Sequence, residues 1–533
     1  MKKAIKVNNE MHIKFIVSSG EFSTVLNQIK FISGRRWNAV EKMWVIPYKE
    51  SNVDYLRNIG FEIEGVEEEK PLPFVIHNPR KKVDLSLLPS GLRPYQIEAI
   101  EFMEAVNWRG FISLAPRLGK SIVSLCGWML HPEFAPILII CPAGVKINWQ
   151  REIYKWTKRK AHIISGTQPY KLPDVRFHII NYDILADWKG SLPQFNYIIV
   201  DESHSVSNTT LTKSVNGKST RVPVQRTEAF RTIAKNTPHI ALLSGTPVTS
   251  KIWQLWVGLN SLNDKAFPNE YAFKHRYCAP HHDGFGWKFD GLSNGEELYA
   301  KLSKYMYRKT REEVFTDLPE ESHDFVQIEL DQVAFEADLK DFREWYAKHK
   351  DVSDEELEIK LSSFASLSYS KKRTSIIEWI SNFCESDEQI VVFAWHRDVV
   401  EDLHRAFKKK SVMMYGGMDA NKKQKAIDDF NAGRKQIFIA NIASAKEGIT
   451  LAGANTVAFV EFPHTPGDLE QAGQRIWLPG KQNKLSYVYF CAVDLEEKRI
   501  DKLRERAKIL SRALDGKDTE IMVDRVREYL EEM

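Results

Sequence analysis

Short apolar runs recur along this chain, separated by stretches whose apolar residues fall at helical spacing. Residues 12–17 (HIKFIV) and 43–48 (MWVIPY) read as strands, and 21–32 between them reads as a helix. They form a small α+β unit over 1–66. Residues 67–90 open on three glutamates and carry prolines at 71, 73, 79 and 89, a pattern that holds neither helix nor central strand and reads as a linker. From 91 to 325, strand-like runs at 110–114, 136–141, 178–180, 197–200 and 239–243 alternate with helical patterns. A second series at 389–394, 436–440, 456–460 and 487–490 occupies 386–495. Alternation of this kind predicts parallel sheets covered by helices on both faces, so the fold class is α/β with two lobes in tandem. Residues 326–385 read as a helical bridge and 496–533 as a helical brace, while polar, aperiodic 205–227 reads as an exposed loop.

Composition narrows the class. A chain of 533 residues with 43% hydrophobic and 27% charged side chains is ordinary globular protein and excludes wholesale disorder. Its five cysteines, with no CxxC pair, argue against a disulfide framework and a Cys-rich zinc module. The grouping His275, Cys278, His281 and His282 lacks the paired spacing of structural zinc and is read as non-metal. The N-terminus has no apolar segment behind its lysines, and no run is long enough to span a bilayer. The expectation is a soluble, intracellular monomer, cytoplasmic or nucleoid-associated if bacterial or from a phage. Net charge is only +4, but it is segregated: +3 over 1–90, +6 over 91–325 and −5 beyond. A near-neutral total therefore does not exclude a polyanionic partner.

The candidate chemistry sits at strand ends. The strand 110–114 runs into Ala115-Pro116-Arg117-Leu118-Gly119-Lys120-Ser121 and then a helical pattern, the context of a phosphate-binding loop. Backbone N–H groups at the helix start favour phosphates, Lys120 reaches their β and γ oxygens, and the Ser121 hydroxyl suits Mg²⁺. Taken alone, the Gly-Lys-Ser is equally an incidental helix start. The strand 197–200 then ends in Asp201-Glu202, where Asp201 suits Mg²⁺ and Glu202 an attacking water.

The full set of segments resembles a superfamily-two helicase-like ATPase of the Swi/Snf type. LRPYQ (92–96) resembles its adenine-recognising segment, CPAGVKINWQREIYKW (141–156) motif Ia, LLSGTPVTS (242–250) motif III, VVFAWH (391–396) motif IV, ASAKEGITL (443–451) motif V and QAGQRIWLPGK (471–481) motif VI. Residues 276–298, 308–319 and the N-terminal GRRWN and KMWVIP resemble the HARP-like annealing-helicase branch. The resemblance implies two RecA-like lobes, ATP and Mg²⁺ as cofactors, and duplex or forked DNA as partner. It implies ATP contacts from Arg93, Gln96, the loop 116–121, Gly448, Gln471 and Arg475. Ser244, Gly245 and Thr246 would couple the site to DNA, and Lys120, Asp201, Glu202 and Arg475 would be catalytic. Lys146, Asn148, Arg151 and Lys155, with Arg35 and Arg36 of the N-terminal unit, are the expected DNA contacts.

The implied activity is DNA-dependent ATP hydrolysis driving translocation on duplex DNA, with rewinding of branched DNA. Two departures stand out. Arg117 replaces the usual glycine, and Leu478 stands where motif VI carries a second arginine, leaving Arg475 or Lys481 to serve. An arginine finger is worth about 10³–10⁵ in rate. Leu478 therefore motivates an alternative, an ATP-gated DNA-binding protein with impaired hydrolysis. An RNA-directed helicase is a further alternative.

Overall fold

The protein is described from a computed structural model. The described residues cover 2–17, parts of 22–66, 79–328 with short breaks, and 369–516 with short breaks.

The N-terminal unit is a five-stranded sheet of β1 (Lys2–Val7), β2 (Glu10–Phe15), β3 (Arg36–Asn38), β4 (Met43–Pro47) and β5 (Glu62–Glu64), in the order β3-β4-β2-β1-β5. Its edge strand β5 pairs parallel to β1 and the other pairs are antiparallel. Ala4, Met11, Ile13 and Ile46 bury one face against Val25, Ile29 and Leu56. Alternation of apolar and polar residues along β1 and β2 is the signature of such a half-buried sheet.

The first lobe is a seven-stranded sheet, parallel throughout, in the order β16-β6-β13-β10-β7-β9-β8. Its strands are β6 (Arg109–Leu114), β7 (Ile137–Cys141), β8 (Ala161–Ile163), β9 (Phe177–Asn181), β10 (Tyr197–Asp201), β13 (His239–Leu243) and β16 (Met306–Lys309). Strand β7 shows why the runs are continuously apolar: Leu138 and Ile140 enter one core, and Ile137, Ile139 and Cys141 the other. Both faces are buried, as parallel sheets require. Helices α1 (Pro94–Ala105), α2 (Lys120–Leu130) and α3 (Lys146–Thr157) lie ahead of or between the early strands.

The second lobe repeats the scheme with β17 (Glu321–Gln327), β18 (Ile390–Ala394), β19 (Ser411–Met414), β20 (Ile437–Asn441), β21 (Thr456–Phe459) and β22 (Leu485–Cys491), all parallel, in the order β17-β22-β21-β18-β20-β19. The tandem α/β architecture is as the apolar pattern indicates.

Two expectations, the lobe boundary at 325 and the loop 205–227, need revision, and two, the bridge and the linker, are sharpened. Strand β17 pairs with β22 along Glu321↔Leu485 to Gln327↔Cys491, so residues 321–325 belong to the second lobe. Of the helical bridge, 372–383 is helix, and Ile376, Ile380 and Cys384 sit in the second lobe's core; most of 329–368 lies outside the described residues. In the linker, 67–78 also lies outside them, but Arg80 and Lys81 pair with Glu98 and Glu104 of α1 at 2.8 Å each, and Leu88 is buried. The supposed loop 205–227 contains an antiparallel hairpin, β11 (Thr210–Val215) and β12 (Lys218–Pro223), and α4 (Gln225–Lys235) begins before its end.

The closing helix α5 (Val493–Asp515) ties the lobes together. Leu503 packs in the second lobe's core, whereas Leu510, Ala513 and Leu514 pack in the first lobe's. At its end Asp515 accepts from Arg308 Nε at 2.5 Å, beside β16. The brace expected beyond residue 516 lies outside the described residues.

Candidate active site

The loop from β6 to α2 contains two residues in the left-handed region, Arg117 at φ +67° and Gly119 at φ +85°. Glycine is needed at 119 because a Cβ there would overlap the Gln96 side-chain amide. The Gln96 amide donates to Leu118 O at 3.0 Å, and its oxygen accepts from Arg93 N at 2.9 Å. Gln96 is thus placed as the support of the loop, at the start of α1. Arg93 lies over the Phe315 ring, 5.0 Å from its centroid. Lys120 and Ser121 are the first two residues of α2, whose leading N–H groups have no partner within the helix. Lys120 Nζ donates to Leu114 O at 3.0 Å, folded against its own loop. Pro116 packs against Gly245, so the motif III turn rests on the loop.

Strand β10 carries Asp201 to the same edge. The Asp201 carboxylate accepts from Trp149 Nε1 at 2.8 Å and from Glu202 N at 3.0 Å. Burial and the neighbouring Glu202 push its carboxyl up to about 6, against the pull of Trp149 and Lys120. Burial lowers Lys120 from the usual lysine range, while Glu202 and Asp201 oppose that shift. The Tyr182 hydroxyl holds Asp201 O at 2.5 Å, and Glu202 turns through φ +49°.

From Glu202 a polar series runs to the second lobe. His204 Nδ1 lies 3.4 Å from Glu202 Oε2 and 3.2 Å from Ser244 Oγ. Ser244 Oγ accepts from Thr246 N at 3.2 Å, and Thr246 Oγ1 accepts from Gln471 Nε2 at 2.5 Å. Gln471 stands on the helix Pro466–Gly473, and the following turn presents Arg475, which is 6% exposed. Burial lowers the Arg475 guanidinium and the charge of Glu202 opposes this. Arg117 Nη2 donates to Arg475 O at 2.7 Å, so the phosphate-binding loop and the second lobe meet at one cleft.

That cleft holds more buried positive charge than its acids neutralise. Arg475 Nε and Arg117 Nη1 are buried without hydrogen-bond partners. Burial and Arg475 push Arg117 down to about 9. The unpaired Arg475 Nε, with Lys120 and a helix N-terminus, fits a polyphosphate. The hard oxygen donors of Ser121 and Asp201 fit Mg²⁺. Lys481 does not join the site: its amine donates to the carbonyls of Ala452, Ala454 and Ile476 at 3.1, 2.6 and 2.9 Å. Gly448 lies outside the described residues.

On α3, Asn148, Arg151 and Lys155 are exposed at spacings of three and four, one helical face. Lys146 is partly withdrawn, donating to Asn181 at 2.9 Å. In the N-terminal unit Arg36 pairs with Glu10 at 2.7 Å, Arg35 donates to Ile32 O at 3.2 Å, and Trp37 is half exposed beside Trp44. His275 and Cys278 are core residues. Among the described residues no group of three or more His, Cys, Asp or Glu is arranged to hold a metal, and no helix is long and apolar enough to cross a membrane.

Three contributors escaped the sequence reading: Trp149, Tyr182 and His204. Only His204 carried a local signal, its position two residues after Glu202.

Residues 95–375 match the family model of the SNF2-related domain, and 371–480 that of the helicase conserved C-terminal domain. The chain is 26% identical over 537 residues to a Xenopus tropicalis SWI/SNF-related matrix-associated actin-dependent regulator of chromatin subfamily A-like protein 1, covering 94% of this chain and 55% of that protein. It is 24% identical over 468 residues to the human DNA annealing helicase and endonuclease ZRANB3, covering 83% and 42%. The chain thus spans about half the length of these relatives. Among solved structures, a Sulfolobus solfataricus SWI2/SNF2 ATPase core in complex with dsDNA aligns at 19% identity and a TM-score of 0.39, over 79% of this chain and 92% of that one.

Proposed function

Because this chain belongs to the SNF2-related domain family, we propose that it couples ATP hydrolysis to movement along duplex DNA and rewinds or remodels forked DNA. It is an ATP hydrolase of the helicase-like kind. The observation carrying the mechanism is that the loop leading into Lys120 bonds to the Arg475 main chain, and the Thr246 turn to Gln471, so the first lobe's Lys120, Asp201 and Glu202 lie on the side that meets the second lobe.

Lys120 and the N-terminus of α2 bind the phosphates, and phosphate displaces the loop carbonyl from Lys120. Glu202 orients the attacking water and takes its proton. Arg475 faces the charge that develops on the transferred phosphoryl group, in a site dry enough for that charge to count. Magnesium held by Ser121 and Asp201 would neutralise phosphate charge when bound. Each cycle of closure and opening acts on the Thr246–Gln471 bond, which spans the lobes and so relates the site to whatever the lobes grip.

The exposed face of Asn148, Arg151 and Lys155 supports a nucleic-acid track on the first lobe. Rewinding rests on the relative named as a DNA annealing helicase. The test measures ATP turnover with duplex, single-stranded and forked DNA and with RNA, alongside re-annealing of a melted fork. Duplex and forked DNA should stimulate turnover at least tenfold, and re-annealing should require ATP. Stimulation by RNA alone, or none by DNA, would refute the proposal.

A further inference from the structure

Arg117 stands at the crest of the phosphate-binding loop at φ +67°, a left-handed conformation that is costly for an L-residue. A side chain held there at such cost invites the question of what it reaches. Its Nη2 crosses the cleft and donates to Arg475 O at 2.7 Å, with Ile449 O further off at 3.5 Å. Arg475 O also accepts from Leu451 N at 3.0 Å, so this one carbonyl is fixed from its own lobe and from the other. Beyond the carbonyl, the Arg475 side chain lies buried within electrostatic reach of Glu202 and Lys120.

We propose that Arg117 is a positioning residue for hydrolysis: it ties the main chain at Arg475 to the phosphate-binding loop, so that the Arg475 guanidinium is seated opposite Glu202 and Lys120. The inference rests on the hydrolysis reading above. It gives Arg117 a role at a point where the loop and the second lobe touch through an arginine. It also accounts for a single guanidinium serving where Leu478 offers no charge. A bare adhesive contact between lobes would have no reason to act through Arg475.

The experiment compares Arg117→Gly and Arg117→Lys in DNA-stimulated ATP hydrolysis, each also combined with Arg475→Ala, which keeps the carbonyl. Glycine relieves the positive φ, so Arg117→Gly should fold at least as stably as wild type, as a thermal melt will report. Misplacement of a reacting group by about 1 Å costs about 10²-fold. The expected result is that loss in kcat for Arg117→Gly, with KM for ATP within about threefold, and partial recovery in Arg117→Lys, which keeps one donor. In the Arg475→Ala background Arg117→Gly should cost less than about threefold. Wild-type kcat in Arg117→Gly, a change confined to KM, or an equal loss in both backgrounds would overturn the inference. Lys120→Ala separates the two readings. If wild-type turnover does not depend on Lys120, the hydrolysis reading falls and this inference with it. Lys120-dependent turnover that ignores Arg117 overturns the inference alone.

Discussion

Gly119→Ala tests whether the left-handed residue before Lys120 holds the loop in its binding form. A left-handed L-residue costs about 1–2 kcal/mol. The new Cβ would also overlap the Gln96 amide, displacing it from Leu118 O and Arg93 N. Each of those hydrogen bonds is worth about 1 kcal/mol net. The sum is roughly 3–4 kcal/mol, and a cost of about 3 kcal/mol falling on the loop proposed to receive phosphates weakens ATP binding about 10²-fold. Titration with a fluorescent ATP analogue reads this directly, and a urea melt reads how much of the cost falls on the whole fold. The double variant Gln96→Ala/Gly119→Ala removes the overlap and leaves only the backbone term. Relative to Gln96→Ala it should lose about tenfold, so the two sites are non-additive. Binding within twofold of wild type in Gly119→Ala, or an equal penalty in both backgrounds, would refute the reasoning.

Leu478→Arg should leave DNA-stimulated turnover within about threefold of wild type, since Arg475 is already seated; a gain of tenfold or more in steady-state kcat would show that a missing cation limits hydrolysis. Asp515→Ala strands the Arg308 charge between the lobes and should destabilise the chain by about 3–5 kcal/mol in denaturant unfolding, with Arg308→Met/Asp515→Leu recovering most of it. Burial raises the Glu297 carboxyl, but donors from Arg276, Tyr277 and Lys301 overcome that and hold it at about 2. Its stabilisation is therefore complete above the unfolded value near 4.5 and fades as pH falls through about 2. Glu297→Gln should flatten the fall of melting temperature between pH 5 and 2.

The parallel lobes were legible because a strand buried on both faces must be apolar throughout, and nine such runs punctuated by helical patterns admit few other folds. Lys120, Ser121, Asp201 and Glu202 were legible as candidates for a related reason: they stand just past strand ends, at recognisable turns, where the proposed phosphate chemistry would use them. The hairpin at 210–223 was not, since two polar strands paired only with each other show no contrast between a buried and an exposed face. The assignment of 321–327 to the second sheet was also hidden, because a strand's partner lies 164 residues away along the chain.

What only the tertiary structure decided is which groups share the cleft. Nothing local to Trp149 marks it as the donor to Asp201, and nothing local to Lys481 shows its amine spent on three carbonyls. Arg117 read as a departure from a glycine, and its reach across 358 positions to Arg475 O is a property of two lobes packed face to face. Sequence periodicity records which side of an element is buried. It carries no record of which buried side chains meet, because that depends on how separate elements pack, and there the charges of this site find or lack their partners.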